Sequence, residues 1–502
     1  MTQPPIQPAS PLAAWQTFLA TSLDAQLARS QTTDPAANAI ALFHQIVATV
    51  PAYRAFLAAH GVDPAAVQAI ADFQHLPLLT KANYLQQYSL ADLCRFGQIE
   101  SCDMIAASSG STGQPTFWLR SLADELQIAT RFEQVFYDSF RADERRTLAI
   151  VCFALGTWVG GMFTTQCCRY LAAKGYPLTV ITPGNNKTEI LRVVQALGSE
   201  FDQVVLLGYP PFLKDVIDSG LAAGLPWANY AVKLVMAGEV FSEEWRSLVG
   251  QRLGGSNPCT DFASLYGTAD AGVLGNETPL SITIRRWLAD HPAVAQSMFG
   301  EWRLPTLVQY DPTSRYFETQ DGTLLFSGDN GMPLIRYHIS DQGGIISYEQ
   351  MLATLANHGF DPTMGLERGM RSLPFVYVFG RSHFTISYFG ANVFPENVTV
   401  GLEQAPICNW VTGKFVMEVL EDGDRNTFLA IVVELAPGQE ADAKKQVAIA
   451  HSIKQNLCRL NSEFANYVPA EKQLPHITLK PAGDPDYFPV GVKHRYTRKT
   501  EL

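Results

Sequence analysis

Residues 106–119 read AASSGSTGQPTFWL, with four hydroxyls (Ser108, Ser109, Ser111 and Thr112) and two glycines (Gly110 and Gly113) between two short apolar runs. Hydroxyl and backbone N–H groups are donors, and glycine lets the chain turn its amides toward one point, so the loop can surround the oxygens of a phosphate. A solvated turn has the same composition. The residues after the loop decide between architectures. The segment TFWL reads as a strand, and the next helix starts only at Ser121, with Asp124 and Glu125 in its first turn. The loop therefore joins strand to strand, whereas a Walker-type phosphate loop runs from a strand directly into a helix and carries Gly-Lys-Ser/Thr. A nucleotide kinase or ATPase of that kind is disfavoured.

Outward from the loop, strand-like DMIAA, PTFWL, LAIVCF, LTVI, QVVLL, VKLVM and DFASLY alternate over 103–265 with helical stretches such as 121–140, 187–198 and 242–252. Such alternation predicts an α/β sheet covered by helices on both faces. Before it, residues 10–95 show helical spacing with alanine filling, and LPLLTKANYL closes them with Pro77 and Thr80 as punctuation. Two later stretches, DNGMPLIRYHISDQGG (329–344) and VFGRSHFTISYFGANVFPENV (378–398), carry turn chemistry beside charged groups. Strand-like FLAIVVEL (428–435) and a helical pattern over 440–461 then suggest an independent C-terminal domain, with its boundary near Arg381.

Composition narrows the function classes. Over 502 residues, 47% are hydrophobic and 17% charged, so the chain is globular and has ample core material. Its net charge of −11, with basic residues clustered only in the last dozen positions, argues against a nucleic-acid partner. The eight cysteines show neither C-x-x-C nor zinc-finger spacing, which predicts reduced, mostly buried thiols. Leu148 to Cys168 is uncharged and long enough to cross a bilayer, yet glycines and threonines interrupt it; a buried strand, a loop and a helix start fit better. The N-terminal sequence lacks a secretory pattern, so a cytoplasmic location is expected.

Several motifs in order resemble the adenylate-forming (acyl-CoA synthetase/ligase) superfamily, above all its phenylacetate-coenzyme A ligase branch. SSGSTGQPT resembles that branch's phosphate loop, and LPLLTKANYLQQY the element preceding it; AGEVFSEEW (237–245) resembles the adenine-side strand end, and LYGTAD (265–270) the Tyr-Gly-x-Thr-Glu motif. PLIRYHISD (333–341) is similar to PLIRYRTGD, and GRSHFTISYFGANVFPENV to GRSDDMLxxRGxNVFPxxIE. The resemblance implies an α/β fold, with a large ATP- and acid-binding domain over 1–381, whose helical layer is about 1–95, and a small mobile α+β domain over 382–502. It implies activation of a carboxylic acid by ATP and Mg²⁺ as an acyl-adenylate, then transfer to a thiol, most simply of coenzyme A. Other acceptors are a carrier-protein phosphopantetheine thiol or an amine, and a non-catalytic nucleotide-binding regulator is the rival class.

The same resemblance assigns residues. Ser108, Ser109, Gly110, Ser111, Thr112 and Gly113 would hold phosphate; Tyr266 would lie against adenine, with Gly238 and Glu239 on its other side and Gly267 in the same motif. Asp341 would accept the ribose hydroxyls, Arg381 would contact ribose or phosphate, and His383 would stand at a hinge. Asp270 would carry Mg²⁺, and Lys493, with Lys499 as rival, would bridge the incoming carboxylate and the α-phosphate. The departures gather near the nucleotide: Ala269-Asp270 replaces Thr-Glu, which leaves Thr268 to compensate, Gln114 replaces a lysine, and His338 and Ser340 replace Arg and Gly. Trp158, Phe163, Tyr209 and Phe241 suggest an aromatic or hydrophobic acid, although a core role suits each of them better. Extra chain around 281–305 and 343–375 could reshape that pocket or serve a homodimer interface.

Overall fold

The computed structural model describes residues 10–108, 116–157, 159–238, 240–381, 386–388, 391–422, 427–461, 464–465, 468, 470–489 and 494–497. The N-terminal layer is helical as its spacing predicts. Its first three helices start on side-chain caps, with Ser10, Ser22 and Asp34 accepting from the amides of Ala13, Ala25 and Ala36. The loop of 106–119 joins two antiparallel strands, β1 (Met104–Ser108) and β2 (Thr116–Arg120), which form a hairpin separate from the main sheet. The next helix, Leu122–Gln134, is capped by Ser121.

Five parallel strands follow: β3 (Thr147–Val151), β4 (Leu178–Ile181), β5 (Gln203–Gly208), β6 (Lys233–Ala237) and β7 (Phe262–Thr268). Their near-continuous apolar runs have a simple cause, since successive side chains of a strand point to opposite faces and both faces are covered. Ala149, Val151, Val205, Leu207 and Val235 pack on one side with Phe163, Cys167 and Leu171. Leu148, Ile150, Val204, Leu206 and Leu234 pack on the other with Ile190, Val194, Val216 and Val249. Leu148 to Cys168 thus contains a buried strand and the start of the helix Val159–Lys174, and no single described helix is long and apolar enough to cross a membrane.

The sheet continues through antiparallel β8 (Gly272–Asn276), β9 (Thr306–Gln309), β10 (Arg315–Gln320), β11 (Thr323–Gly328), β12 (Leu334–Ile346) and β13 (Phe375–Arg381), in the order β10-β11-β12-β13-β9-β8-β7-β6-β5-β3-β4. Of residues 329–344, those from Leu334 onward are strand despite their turn chemistry, and 329–333 lead into it. Pairing with β11 and β13 on both sides overrides the local turn residues, and Arg336 and Ser340 take positive φ angles of 47° and 66°. The extra segments supply the helices Pro279–Asp290, Pro292–Phe299 and Tyr348–Asn357, which pack together in one satellite core containing Ile284, Leu288, Phe299, Met351 and Leu355.

After Arg381 come a short hairpin, β14 (Ile386–Tyr388) and β15 (Ala391–Val393), and a three-stranded sheet of β16 (Val411–Glu421), β17 (Thr427–Leu435) and β18 (His476–Lys480). The helix Ala443–Leu460 covers this sheet through Ile449, Ile453 and Leu457. The smaller unit rests on the larger through Lys214, which donates to the Val411 carbonyl at 3.3 Å, and Arg252, which donates to that of Cys408 at 2.8 Å. Residues 494–497 of the basic tail are held on the smaller sheet: the Met417 amide donates to the Tyr496 carbonyl at 2.8 Å, and His494 Nε2 lies 2.7 Å from the Phe415 carbonyl. Burial pushes the His494 pKa down to about 4 against the effect of that backbone contact.

Candidate active site

The site begins with a pairing between distant segments. Leu79 forms a parallel bridge with Tyr337 of β12, its amide donating to the Arg336 carbonyl at 3.2 Å and its carbonyl accepting from the His338 amide at 2.9 Å. Thr80 then caps the turn Lys81–Leu85 in a reciprocal box with Asn83. Lys81 is consequently delivered to the end of the sheet, where its Nζ lies 3.6 Å from Asp270 Oδ1 and 5.5 Å over the Trp118 ring.

Asp270 is 4% exposed, and the Tyr337 hydroxyl donates to its Oδ2 at 2.5 Å. One carboxylate edge is thereby fixed, and the other faces a cation. The donor is a single hard carboxylate oxygen beside a position open to phosphate charge. That combination suits Mg²⁺, which commonly binds one or two carboxylates together with substrate phosphates. Thr268 Oγ1 accepts from the Ala271 amide at 3.1 Å and closes the turn that presents Asp270. Gly267 is dictated by close approach, since a Cβ there would stand 2.6 Å from the Gly272 carbonyl oxygen on the neighbouring strand.

A second cluster lies on strands of the same sheet. The Tyr266 hydroxyl donates to Asp341 Oδ2 at 2.8 Å, both residues are buried, and Asp341 is directly opposite Arg381 in the pairing of β12 with β13. Gly238, just past β6, has φ +82°, and a Cβ on it would come within 2.8 Å of the Tyr209 ring. Behind it, Glu243 joins Arg246, Arg285 and Arg286 in a buried ion network; burial raises its pKa, but the three guanidiniums outweigh that and hold it below the ordinary value. Phe163 and Phe241 are core residues, and Tyr209 packs edge-on against Phe153.

The structure thus brings Thr268, Asp270, Tyr266, Gly267 and Asp341 together with the backbones of Gly238 and Arg381, while Ser108 ends β1, paired with Thr116 of the separate hairpin. Ser109, Gly110, Ser111, Thr112, Gly113, Glu239, His383, Lys493, Lys499 and Trp158 lie outside the described residues. Two site residues escape the motif reading, Lys81 and Tyr337, although both stand inside quoted motifs, LPLLTK and PLIRYHISD. His338 turns to the neighbouring strand, its Nε2 lying 2.8 Å from Thr323 Oγ1 on β11. Ser340 holds the left-handed backbone that glycine accepts without strain. Ser340→Gly is expected to raise stability by about 1 kcal/mol, because a left-handed L-residue costs roughly 1–2 kcal/mol and glycine's greater unfolded freedom offsets part of that. A thermal midpoint at or below that of the parent chain would contradict the expectation.

Comparison with known proteins adds to the geometry. No family model matches the chain. Phenylacetate-coenzyme A ligase of Thermus thermophilus is 23% identical over 364 residues, covering 71% of this chain and 72% of that protein. Among solved structures, 2-hydroxyisobutyryl-CoA ligase in the postadenylation state, in complex with R3-HIB-AMP, superposes with a TM-score of 0.66 at 14% identity over 100% of this chain and 95% of that one. The same enzyme with 2-HIB-AMP and CoA in its thioesterification state gives 0.51 at 13% identity over 99% and 95% of the two chains. Sequence motifs and fold agree, and the chain has the fold of the adenylate-forming ligases, with its curated relative in the phenylacetate-coenzyme A ligase branch.

Proposed function

We propose that this protein activates a carboxylic acid with ATP, forming an acyl-adenylate and pyrophosphate, and then transfers the acyl group to a thiol, that of coenzyme A. The observation that carries this reading is the convergence of Asp270, Tyr337 and Lys81 at the same sheet end as the Tyr266–Asp341 pair. A carboxylate that selects a cation beside a lysine suits a polyphosphate, and a buried acid oriented by a tyrosine suits a ribose.

In the first half-reaction a carboxylate oxygen bonds to the α-phosphorus as the bond to the pyrophosphate oxygen breaks. In the second, the thiolate sulfur bonds to the acyl carbon and AMP leaves. Asp341 accepts from the ribose hydroxyls while still accepting from Tyr266, since a carboxylate has about four lone-pair directions. Tyr266 lies along adenine, and the donors of 108–113 with Lys81 take the outer phosphates. Asp270 would hold Mg²⁺, and the ion would supply neutralisation of phosphate charge. Thr268 fixes the turn carrying Asp270, and Lys493 enters with the smaller unit to bridge carboxylate and α-phosphate. A hydrophobic or aromatic acid is the proposed substrate class, and the cytoplasm the proposed location.

Ala269 supports the rival reading of a nucleotide-binding regulator, because it removes a hydroxyl the family motif supplies. Two measurements decide. Asp341→Ala is expected to weaken ATP binding by about 1.5–3 kcal/mol, roughly ten- to a hundredfold, through loss of a charged acceptor. Calorimetric titration with ATP measures it, and unchanged affinity would remove Asp341 from the nucleotide site. Release of pyrophosphate that depends on an added acid, followed by consumption of CoA thiol, separates the catalytic reading from the regulatory one.

A further inference from the structure

The turn that presents Asp270 is gripped by its backbone. Arg120 Nη2 donates to the Ala269 carbonyl at 2.6 Å, Asn330 Nδ2 to that of Asp270 at 3.4 Å, and Arg315 Nη2 to that of Ala271 at 3.3 Å. Three side chains from three separate places in the chain thus take three consecutive carbonyls. All three are buried, and they share a hub. Asp124 accepts from Arg120 Nη1 at 3.2 Å, from Arg315 Nη2 at 3.4 Å and from the Gly331 amide beside Asn330 at 3.4 Å. Gly331 itself is pressed on β2, where a Cβ would stand 2.5 Å from the Leu119 carbonyl oxygen.

Arg120 is the last residue of β2, the strand that leaves the loop of 109–115. We propose that Arg120, Asn330 and Arg315, organised by Asp124, are positioning residues that hold the Asp270 carboxylate in register with β2, so that it meets the Mg²⁺ of a bound Mg²⁺–ATP. This rests on the proposed adenylate-forming function. Net stabilisation does not by itself account for a buried charge cluster of this size, since desolvation of its ions offsets much of their attraction. Pinning backbone rather than side chain leaves the carboxylate itself for its cation. Without the clamp, Asp270 would keep its Tyr337 contact but lose its fixed distance to the hairpin, and an error of about 1 Å in a charge-stabilising group is costly.

The test is calorimetric titration of ATP in Mg²⁺ and in EDTA, with the thermal midpoint measured alongside. The parent chain is expected to bind ATP at least tenfold tighter in Mg²⁺. Asn330→Ala should keep the EDTA affinity within about twofold, yet lose at least fivefold of the Mg²⁺ gain; Arg120→Gln should show the same split between the two media, with a lowered midpoint because Asp124 loses one of its two buried cations. Arg120→Lys should restore part of it. Asn330→Ala removes no charge, so it remains informative if Arg120→Gln does not fold. A full Mg²⁺ gain in Asn330→Ala, or equal losses in both media together with a lowered midpoint, would overturn the positioning role while leaving the functional reading intact. Failure of the parent chain to bind ATP in either medium would overturn that reading, and the positioning role with it.

Discussion

Asp270→Asn is expected to lower acid-dependent ATP–pyrophosphate exchange by about 10²–10³-fold, the usual loss when one preorganised charge-stabilising group is removed. The substitution is nearly isosteric, and an asparagine oxygen can still accept from the Tyr337 hydroxyl that now donates at 2.5 Å. The change removes the negative charge facing Lys81 and the incoming cation. Stability should hardly move: the Lys81 side chain is 39% exposed and its Nζ is 3.6 Å from Asp270, so the pair is worth less than about 1 kcal/mol. A large kinetic loss with an unchanged thermal midpoint is therefore the predicted signature. A loss smaller than about tenfold at saturating Mg²⁺ and ATP would show that Asp270 does not carry the cation.

Lys493→Ala is expected to abolish the same exchange while leaving thioester formation from a supplied acyl-adenylate intact. Lys493 lies outside the described residues, but its neighbours explain why the tail belongs to the smaller unit. His494 sits 2.7 Å from the Phe415 carbonyl, and Thr497 bridges to Met417 on β16. The proposed role needs a lysine that travels with β16, and Lys493 is joined through the chain directly to that anchor. Such a lysine stabilises charge only while that unit faces the α-phosphate, which confines its effect to one half-reaction. Measuring both half-reactions in Lys493→Ala and Lys499→Ala assigns the role. Loss of exchange in Lys499→Ala alone moves the assignment there, and survival of exchange in both variants removes the tail from the chemistry.

The parts of the fold legible in the sequence are those with local causes. Apolar runs such as LAIVCF and QVVLL are long because both faces of β3 and β5 are buried, and Ser121 announces its helix by capping it. The hairpin at 106–119 is readable from the strand after the loop. By contrast, β12 is obscured by Gly343, Gly344 and the Asp-Asn-Gly before it, residues that signal turns locally but are overruled by strands on both sides. Lys81 is hidden for a related reason. Its approach to Asp270 depends on the bridge from Leu79 to Tyr337, a pairing no local pattern reveals. The clamp on residues 269–271 is equally long-range, drawing on Arg120, Arg315 and Asn330.

The central claim is that this chain makes acyl-adenylates, and ATP–pyrophosphate exchange across a panel of carboxylic acids weighted toward aromatic and hydrophobic members tests it most directly. The account predicts exchange that requires both Mg²⁺ and one class of acid and is lost in Asp270→Asn. Tight ATP binding with no exchange for any acid in the panel would contradict it and leave a nucleotide-binding regulator in its place.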